Sequence, residues 1–392
     1  MLRSLDLFSG VGGITHALRG LAIPVLYCEK DLECHAVMEN LMRQKKLPRA
    51  RIDPDVSKLS PSAVPGKVDI IVAGFPCIGF SSSGKREGLD QPGSGLFRHV
   101  MRLARELRPP YMFFENVAAI LENADIETIV RAIRSLGYAM YWVVMPAYAV
   151  GGPQKRARWF CLCVRNGVSG VSLKPSEPFS RFSWKSEPSP RMVPEATGSV
   201  RRRMRMLGNS VVPDCVRAAF LSLWTGCVIP IPRLLAASSK GGSGIPLRLP
   251  QPLGPLQPSH SARYACILSG TTRQRIPEPP GMLGPPRLGL VLDPNAYRSK
   301  TPVNKEMATS GLVKKPKPVH MWSTPRANNG TFGMNALTNR GSHDLGTQLR
   351  FERRTPAGQR KGVTNPDWAD WLMGYPVGWT ALPGDTRRKK TA

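Results

Sequence analysis

Cys77 closes an apolar run in the stretch VDIIVAGFPCIGFSSSG, residues 68–84, directly after Pro76. A thiolate is a strong nucleophile once its pKa is lowered. At the carboxyl end of a strand it faces the edge where open α/β sheets bind ligands. Taken alone, such a cysteine reads more readily as a small buried hydrophobe. Other groups shift that balance. FFENV ends a second apolar run with Glu115, Asn116 and Val117. A carboxyl in apolar surroundings keeps its proton to higher pH and can serve as an acid. PQKRARWF spaces Gln154, Arg156 and Arg158 at alternate positions entering a strand, so all three can share one face. LDLFSGVGG supplies Gly10, Gly12 and Gly13 for a tight turn at a helix amino terminus. Open α/β folds hold nucleotide-like cofactors this way. Glu29 follows about 20 residues on, where a carboxylate can accept both ribose hydroxyls.

These residues need a frame that gathers strand ends. SLDLFS, PVLYCE, VDIIVAGF, YMFFENV, YAMYWVVM and ARWFCLCV read as strands. GITHALRGL, DLECHAVMENLMRQ, SGLFRHVMRLARELR and DIETIVRAIRSLG read as helices, with Asp31 and Ser94 as amino-terminal caps. Strand–helix alternation predicts an α/β fold with a doubly wound, mostly parallel sheet. The last two strands, close in sequence, are expected as an antiparallel edge pair. Residues 167–205 read as irregular and basic, with RRRMR at 201–205, and GNSVVPDCVRAAFLSLWTG as a loop and a final apolar helix. The domain reading is a catalytic domain over 1–228, a flexible Pro/Gly-rich linker over 229–315, and a small basic module over 316–392. That module carries Trp322, Trp368, Trp371 and Trp379, suited to base stacking.

Lys and Arg number 55 against 27 Asp and Glu, a formal charge of +28. Residues 230–392 hold 24 of the basic and only 8 of the acidic side chains. This excess points to a polyanion, nucleic acid ahead of an anionic membrane. No apolar run approaches the roughly 18 residues of a membrane span, and the amino terminus lacks a signal-peptide layout. An intracellular, reducing location is expected. The eight cysteines form no CxxC pair, which argues against zinc and against a disulfide framework.

The ordered set DLFSGVGG, Glu29 in YCEKD, Asp55 in DPDVSKL, GFPCIGFS, FFENV, QKRAR and GNSVVP resembles the cytosine-5 DNA methyltransferases. The resemblance implies a Rossmann-like methyltransferase fold and S-adenosylmethionine as cofactor. It implies Phe8, Ser9, Gly10, Gly12 and Gly13 at the methionine end, Glu29 at the ribose, Asp55 at the adenine amine, and Asn209 and Ser210 closing the pocket. Cys77, presented by Pro76, would add to C6 of a flipped cytosine. Glu115, with Asn116 and Val117 of its motif, would act at N3. Arg156 and Arg158 would hold base and acid in place. Gln154, Ser81 and Ser83 would contact the substrate, the serines from a lid. Double-stranded DNA would be the partner of a monomeric enzyme with no metal and no membrane contact.

The sequence departs from the family in three places. Ile78 follows the cysteine where Gln or Pro is usual. Only residues 159–207 separate QKRAR from GNSVVP, too few for the usual recognition domain. WLMGYP at 371–376 resembles a family motif but comes after GNSVVP instead of before it. We therefore expect a permuted order, with 318–382 as a displaced recognition module tethered by the linker. The alternative is a separate small fold or a basic arm. The competing functions are an RNA cytosine-5 methyltransferase and a catalytically inactive DNA-binding homologue.

Overall fold

In the computed structural model the apolar runs of the first 165 residues become strands of one sheet. The residues described are 1–76, 95–122, 125–168, 173, 175–176, 182–225, 271–272, 289–292, 322–325, 345 and 362–385. Cys77, Ser81, Ser83 and Ser94 lie outside them.

The strands are β1 (Leu2–Leu7), β2 (Ala22–Cys28), β3 (Arg51–Asp53), β4 (Ile70–Ala73), β5 (Tyr111–Val117), β6 (Tyr138–Pro146), β7 (Ala157–Arg165), β8 (Met192–Val193), β9 (Thr271–Thr272), β10 (Gly289–Leu292) and β11 (Val363–Thr364). The helices are α1 (Gly13–Ala17), α2 (Leu32–Arg43), α3 (Gly95–Leu107), α4 (Asp125–Ser135), α5 (Gly198–Asn209), α6 (Pro213–Thr225) and α7 (Pro366–Leu372). The main sheet runs β3-β2-β1-β4-β5-β7-β6-β10-β9. β1 to β5 are mutually parallel, and β7 is antiparallel to both β5 and β6. This is the doubly wound, mostly parallel α/β fold read from the alternation, that of the Rossmann-like methyltransferases. The β6–β7 pair differs from expectation in two ways. The chain returns through β7 inside β6, against β5. β10 then pairs parallel to β6, so β6 is not the sheet edge. β3 went unread because three residues with two charged side chains carry no apolar pattern.

Parallel strands covered on both faces should be apolar at every position, and β4 is buried throughout. Alternate residues serve opposite layers. Ile70 and Val72 face a core shared with α1, α2, α5 and α6, while Ile71 and Ala73 face one shared with α3 and α4. The Asp31 side chain caps α2 by accepting from the Glu33 amide at 2.9 Å.

Residues 198–209, read as irregular up to 205, are helix α5, capped by Thr197. The arginines hid its apolar face. Arg203 is buried in that face because its counter-charges, Asp367 and Asp370 at 2.6 and 2.7 Å, come from α7. The carboxyl-terminal residues 362–385 pack into the first core layer through Ala369, Met373, Tyr375 and Trp379. β11 pairs with β8, Gln154 Nε2 donates to the Leu372 carbonyl at 2.6 Å, and Trp379 Nε1 donates to the Val11 carbonyl at 3.0 Å. The four tryptophans read as base-stacking surfaces are at most 5% exposed. They are core residues, because α7 has a nearby apolar layer to cover.

Candidate active site

The chain crosses from β1 to β2 and β3 on one side and to β4 and β5 on the other, so the order reverses between β1 and β4. Ligands of open α/β sheets bind at such a switch, outside the carboxyl ends of the strands. The turn after β1 takes left-handed backbone at Phe8, Gly10 and Gly12, with φ of 57°, 54° and 75°. Ser9 Oγ pins it by donating to the Asp6 carbonyl at 2.9 Å. Below it, the Asp6 side chain accepts from the Thr15 hydroxyl, and burial pushes its pKa up to about 7. Glu29, at the end of β2, accepts from the amides of Gly10 at 2.7 Å and Asp31 at 2.9 Å. Asp55 follows β3; its carboxylate accepts from the Ser57 hydroxyl and amide at 2.6 and 2.9 Å, which holds its pKa down.

Phe8, Ser9, Gly10, Glu29, Asp55 and Ser57 line one cleft of about 720 Å³, together with Gly13, Pro76, Glu115, Asn116, Val117, Arg158, Asn209 and Ser210. Gly12, expected at the methionine end, does not line it, and its side faces Leu47. Its size is ordinary for a cofactor site. Glu115 is buried at the end of β5, with Arg158 Nε 3.0 Å from its Oε1. Burial raises its pKa, and the guanidinium opposes that rise without cancelling it. Asn116 Nδ2 donates to the Phe75 carbonyl at 3.0 Å, tying the end of β5 to the turn that carries Pro76.

The Gln-x-Arg-x-Arg set divides. Arg158 lines the cleft, whereas Gln154 and Arg156 do not. Gln154 reaches α7, and Arg156 donates to the carbonyls of Gly208 at 3.1 Å and Ser210, and to Pro325 at 3.4 Å. Their shared face is covered by α5 and the carboxyl-terminal residues, so Arg156 braces the Gly208–Ser210 loop from behind and Gln154 holds the end of α7. The lining residues not singled out from sequence include Lys30, Arg205 and Tyr375. Arg205 Nη1 lies 2.5 Å from Asp31 Oδ2; the signal for it was its place three residues before GNSVVP. Tyr375 had its signal in WLMGYP. Among the described residues, no cluster of His, Cys, Asp or Glu could hold a metal ion, and no helix is long and apolar enough to cross a membrane.

Residues 2–202 match the family described as C-5 cytosine-specific DNA methylase. The Type II methyltransferase M.CviJI of Paramecium bursaria Chlorella virus IL3A is 31% identical over 385 residues, 95% of this chain and 96% of that one. The chain belongs to the C-5 cytosine-specific DNA methylases. It is 32% identical to the Type II methyltransferase M.HhaI of Haemophilus parahaemolyticus over 182 residues, 45% of this chain and 54% of that one, and so spans about half of that relative. A solved structure of a putative DNA modification methyltransferase encoded within an Escherichia coli prophage is 24% identical with a TM-score of 0.39, covering 50% of this chain and 57% of that one. As a member of this family the chain is a DNA cytosine-5 methyltransferase, and neither the RNA reading nor the inactive one is favoured.

Proposed function

We propose that this methylase uses S-adenosylmethionine to methylate C5 of a cytosine flipped out of double-stranded DNA, through an adduct between Cys77 and C6. The observation that supports this most is one cleft joining the β1 turn, Glu29 and Asp55 to Glu115, Arg158 and Pro76. The residues suit that cofactor. Glu29 offers carboxylate oxygens to ribose hydroxyls, Asp55 accepts from an adenine amine, and the side of Gly10 has nothing within 4 Å of where a Cβ would stand. Phe8, Ser9 and Gly13 border the methionine end, and Asn209 and Ser210 the opposite wall. When bound, S-adenosylmethionine supplies an electrophilic methyl group on sulfur.

C5 of cytosine is too weak a nucleophile to take that methyl unaided. Addition of the Cys77 thiolate to C6 moves the electrons of the C5–C6 double bond toward C5, with charge spreading to N3. Glu115, held in its acid form by burial, donates to N3. Arg158 fixes the carboxyl by a charge-assisted contact. C5 forms its bond to the methyl carbon as that carbon's bond to sulfur breaks, the electron pair staying on sulfur. C5 then gives its proton to water, the double bond re-forms as the Cys77 thiolate leaves, and N3 returns its proton to the Glu115 carboxylate. Asn116 steadies the turn that carries Pro76. A base inside a duplex is out of reach, so flipping precedes addition.

We read the catalytic domain as residues 1–225 completed by 362–385, acting as a monomer on intracellular DNA. The test is tritium transfer from labelled S-adenosylmethionine to unmethylated genomic DNA, with Cys77→Ser alongside. Transfer by the native chain and none by the variant supports the thiolate route. Binding of cofactor without transfer to DNA argues against it.

A further inference from the structure

Among the described residues that line the cleft, all but one lie between Phe8 and Val211. The exception is Tyr375, delivered from the far carboxyl-terminal segment. Its point of contact is Gly13. Unlike Gly10 and Gly12, Gly13 has no left-handed backbone, so its conformation does not require glycine. Its surroundings do. A methyl group at Gly13 would stand 2.2 Å from the Tyr375 hydroxyl oxygen and 2.8 Å from Val211 Cγ2, well inside van der Waals contact.

The tyrosine has no room to withdraw. It is fully buried and stacks on Trp379, ring centroids 5.4 Å apart. Its backbone is set by a Schellman cap on α7, with Tyr375 N donating to the Asp370 carbonyl and Gly374 N to that of Trp371, both at 2.9 Å. The Asp370 side chain is anchored in turn by Arg203 at 2.7 Å, by the Thr380 hydroxyl at 2.9 Å and by the Gly378 amide at 3.0 Å. The Tyr375 hydroxyl lies beside Ser210 and has no hydrogen bond of ordinary geometry among the described residues.

We propose that Tyr375 is a positioning residue of the cofactor site. It holds the Ser9–Gly13 turn in its binding shape, and Gly13 is glycine in order to admit it. The carboxyl-terminal segment thereby becomes a wall of a site whose other described residues come from the first 211. The inference rests on the reading that this cleft binds S-adenosylmethionine.

The test is calorimetric titration of the full chain with S-adenosylhomocysteine, for the native protein, Gly13→Ala, Tyr375→Phe and the double variant, with melting temperatures and steady-state kinetics on each. Gly13→Ala is expected to weaken binding about tenfold or more, and Tyr375→Phe by about two- to fivefold. The double variant should bind more tightly than Gly13→Ala alone, because phenylalanine removes the nearer of the two clashing atoms. KM for S-adenosylmethionine should rise by more than kcat falls. Additive losses, or losses that track melting temperature instead of affinity, overturn the inference while leaving the cofactor reading intact. A native chain that binds no S-adenosylhomocysteine overturns both.

Discussion

Glu115 shows how two opposing effects on one side chain set its chemistry. Burial favours the neutral acid, and Arg158 at 3.0 Å favours the carboxylate. Burial is the larger, so the proton is retained above the ordinary carboxylate range. A reaction that needs the acid form loses rate as pH rises through this raised pKa. Replacing Glu115 by Gln should lower kcat by about 10²- to 10⁴-fold and remove that limb from the pH–rate profile. A profile whose limb survives the replacement places the titrating group elsewhere. Asp6 carries a second prediction. Its pKa rises from 3.8 to about 7 on burial, so the folded state binds the proton more tightly than the unfolded chain. Its contribution to stability is complete below about pH 4 and is lost as pH climbs through about 7. Urea midpoints of Asp6→Asn should therefore lack the decline that the native protein shows over that window, by a few kcal/mol at most.

At the scale of elements, α5 and α7 explain each other. α5 has an arginine at the centre of its buried face, which local pattern reading treats as a break in the helix stripe. α7 has Asp367 and Asp370 within seven residues, Asp370 fully buried. Neither charge set is tolerable alone in a core; paired, with the Thr380 hydroxyl also accepting from Arg203 Nε at 3.0 Å, each offsets the other. Removing one partner leaves the other uncompensated. Arg203→Ala should thus cost about 3–5 kcal/mol of stability, read as a lower denaturant midpoint. A loss below about 1 kcal/mol would mean that water already reaches the pair. The same logic accounts for Arg156, whose hydrogen bonds go to carbonyls behind the cleft. A strand-edge alternation says which residues share a face, but not whether that face meets the site or another element.

For the whole molecule, the question is how a net +28 chain divides its charge between fold and partner. Some of it is internal: Arg156, Arg203 and Arg217 are buried and donate to protein groups. Most of the basic residues described are not buried, and a basic surface facing DNA releases counterions on binding. Affinity for double-stranded DNA should fall at least roughly tenfold between about 50 and 200 mM salt, measured by filter binding or anisotropy. A flat response would show that the excess charge faces something other than the DNA backbone. Deleting residues 362–392 should abolish cofactor binding together with cooperative unfolding, since Val11, Gly13 and Gln154 lose the groups that cover them.

The sequence by itself determined the parts whose physics is local. Strand–helix alternation, the caps, the glycine turn after β1 and the residues stationed at strand ends are written within a few positions of one another. The meeting of Glu115 with Arg158 is not, because it depends on β7 lying against β5 instead of outside β6. Only the tertiary structure decided which side of a motif faces the cleft. Gln154 and Arg156 turn away because α5 and residues from beyond position 320 pack over them. It also decided that the aromatic carboxyl-terminal segment is core. That assignment depends on Arg203 meeting Asp370 and on Tyr375 meeting Gly13, contacts across more than 160 and 360 residues. Local periodicity carries no information at such separations, because an apolar or charged face gives no sign of its partner until the chain has closed on itself.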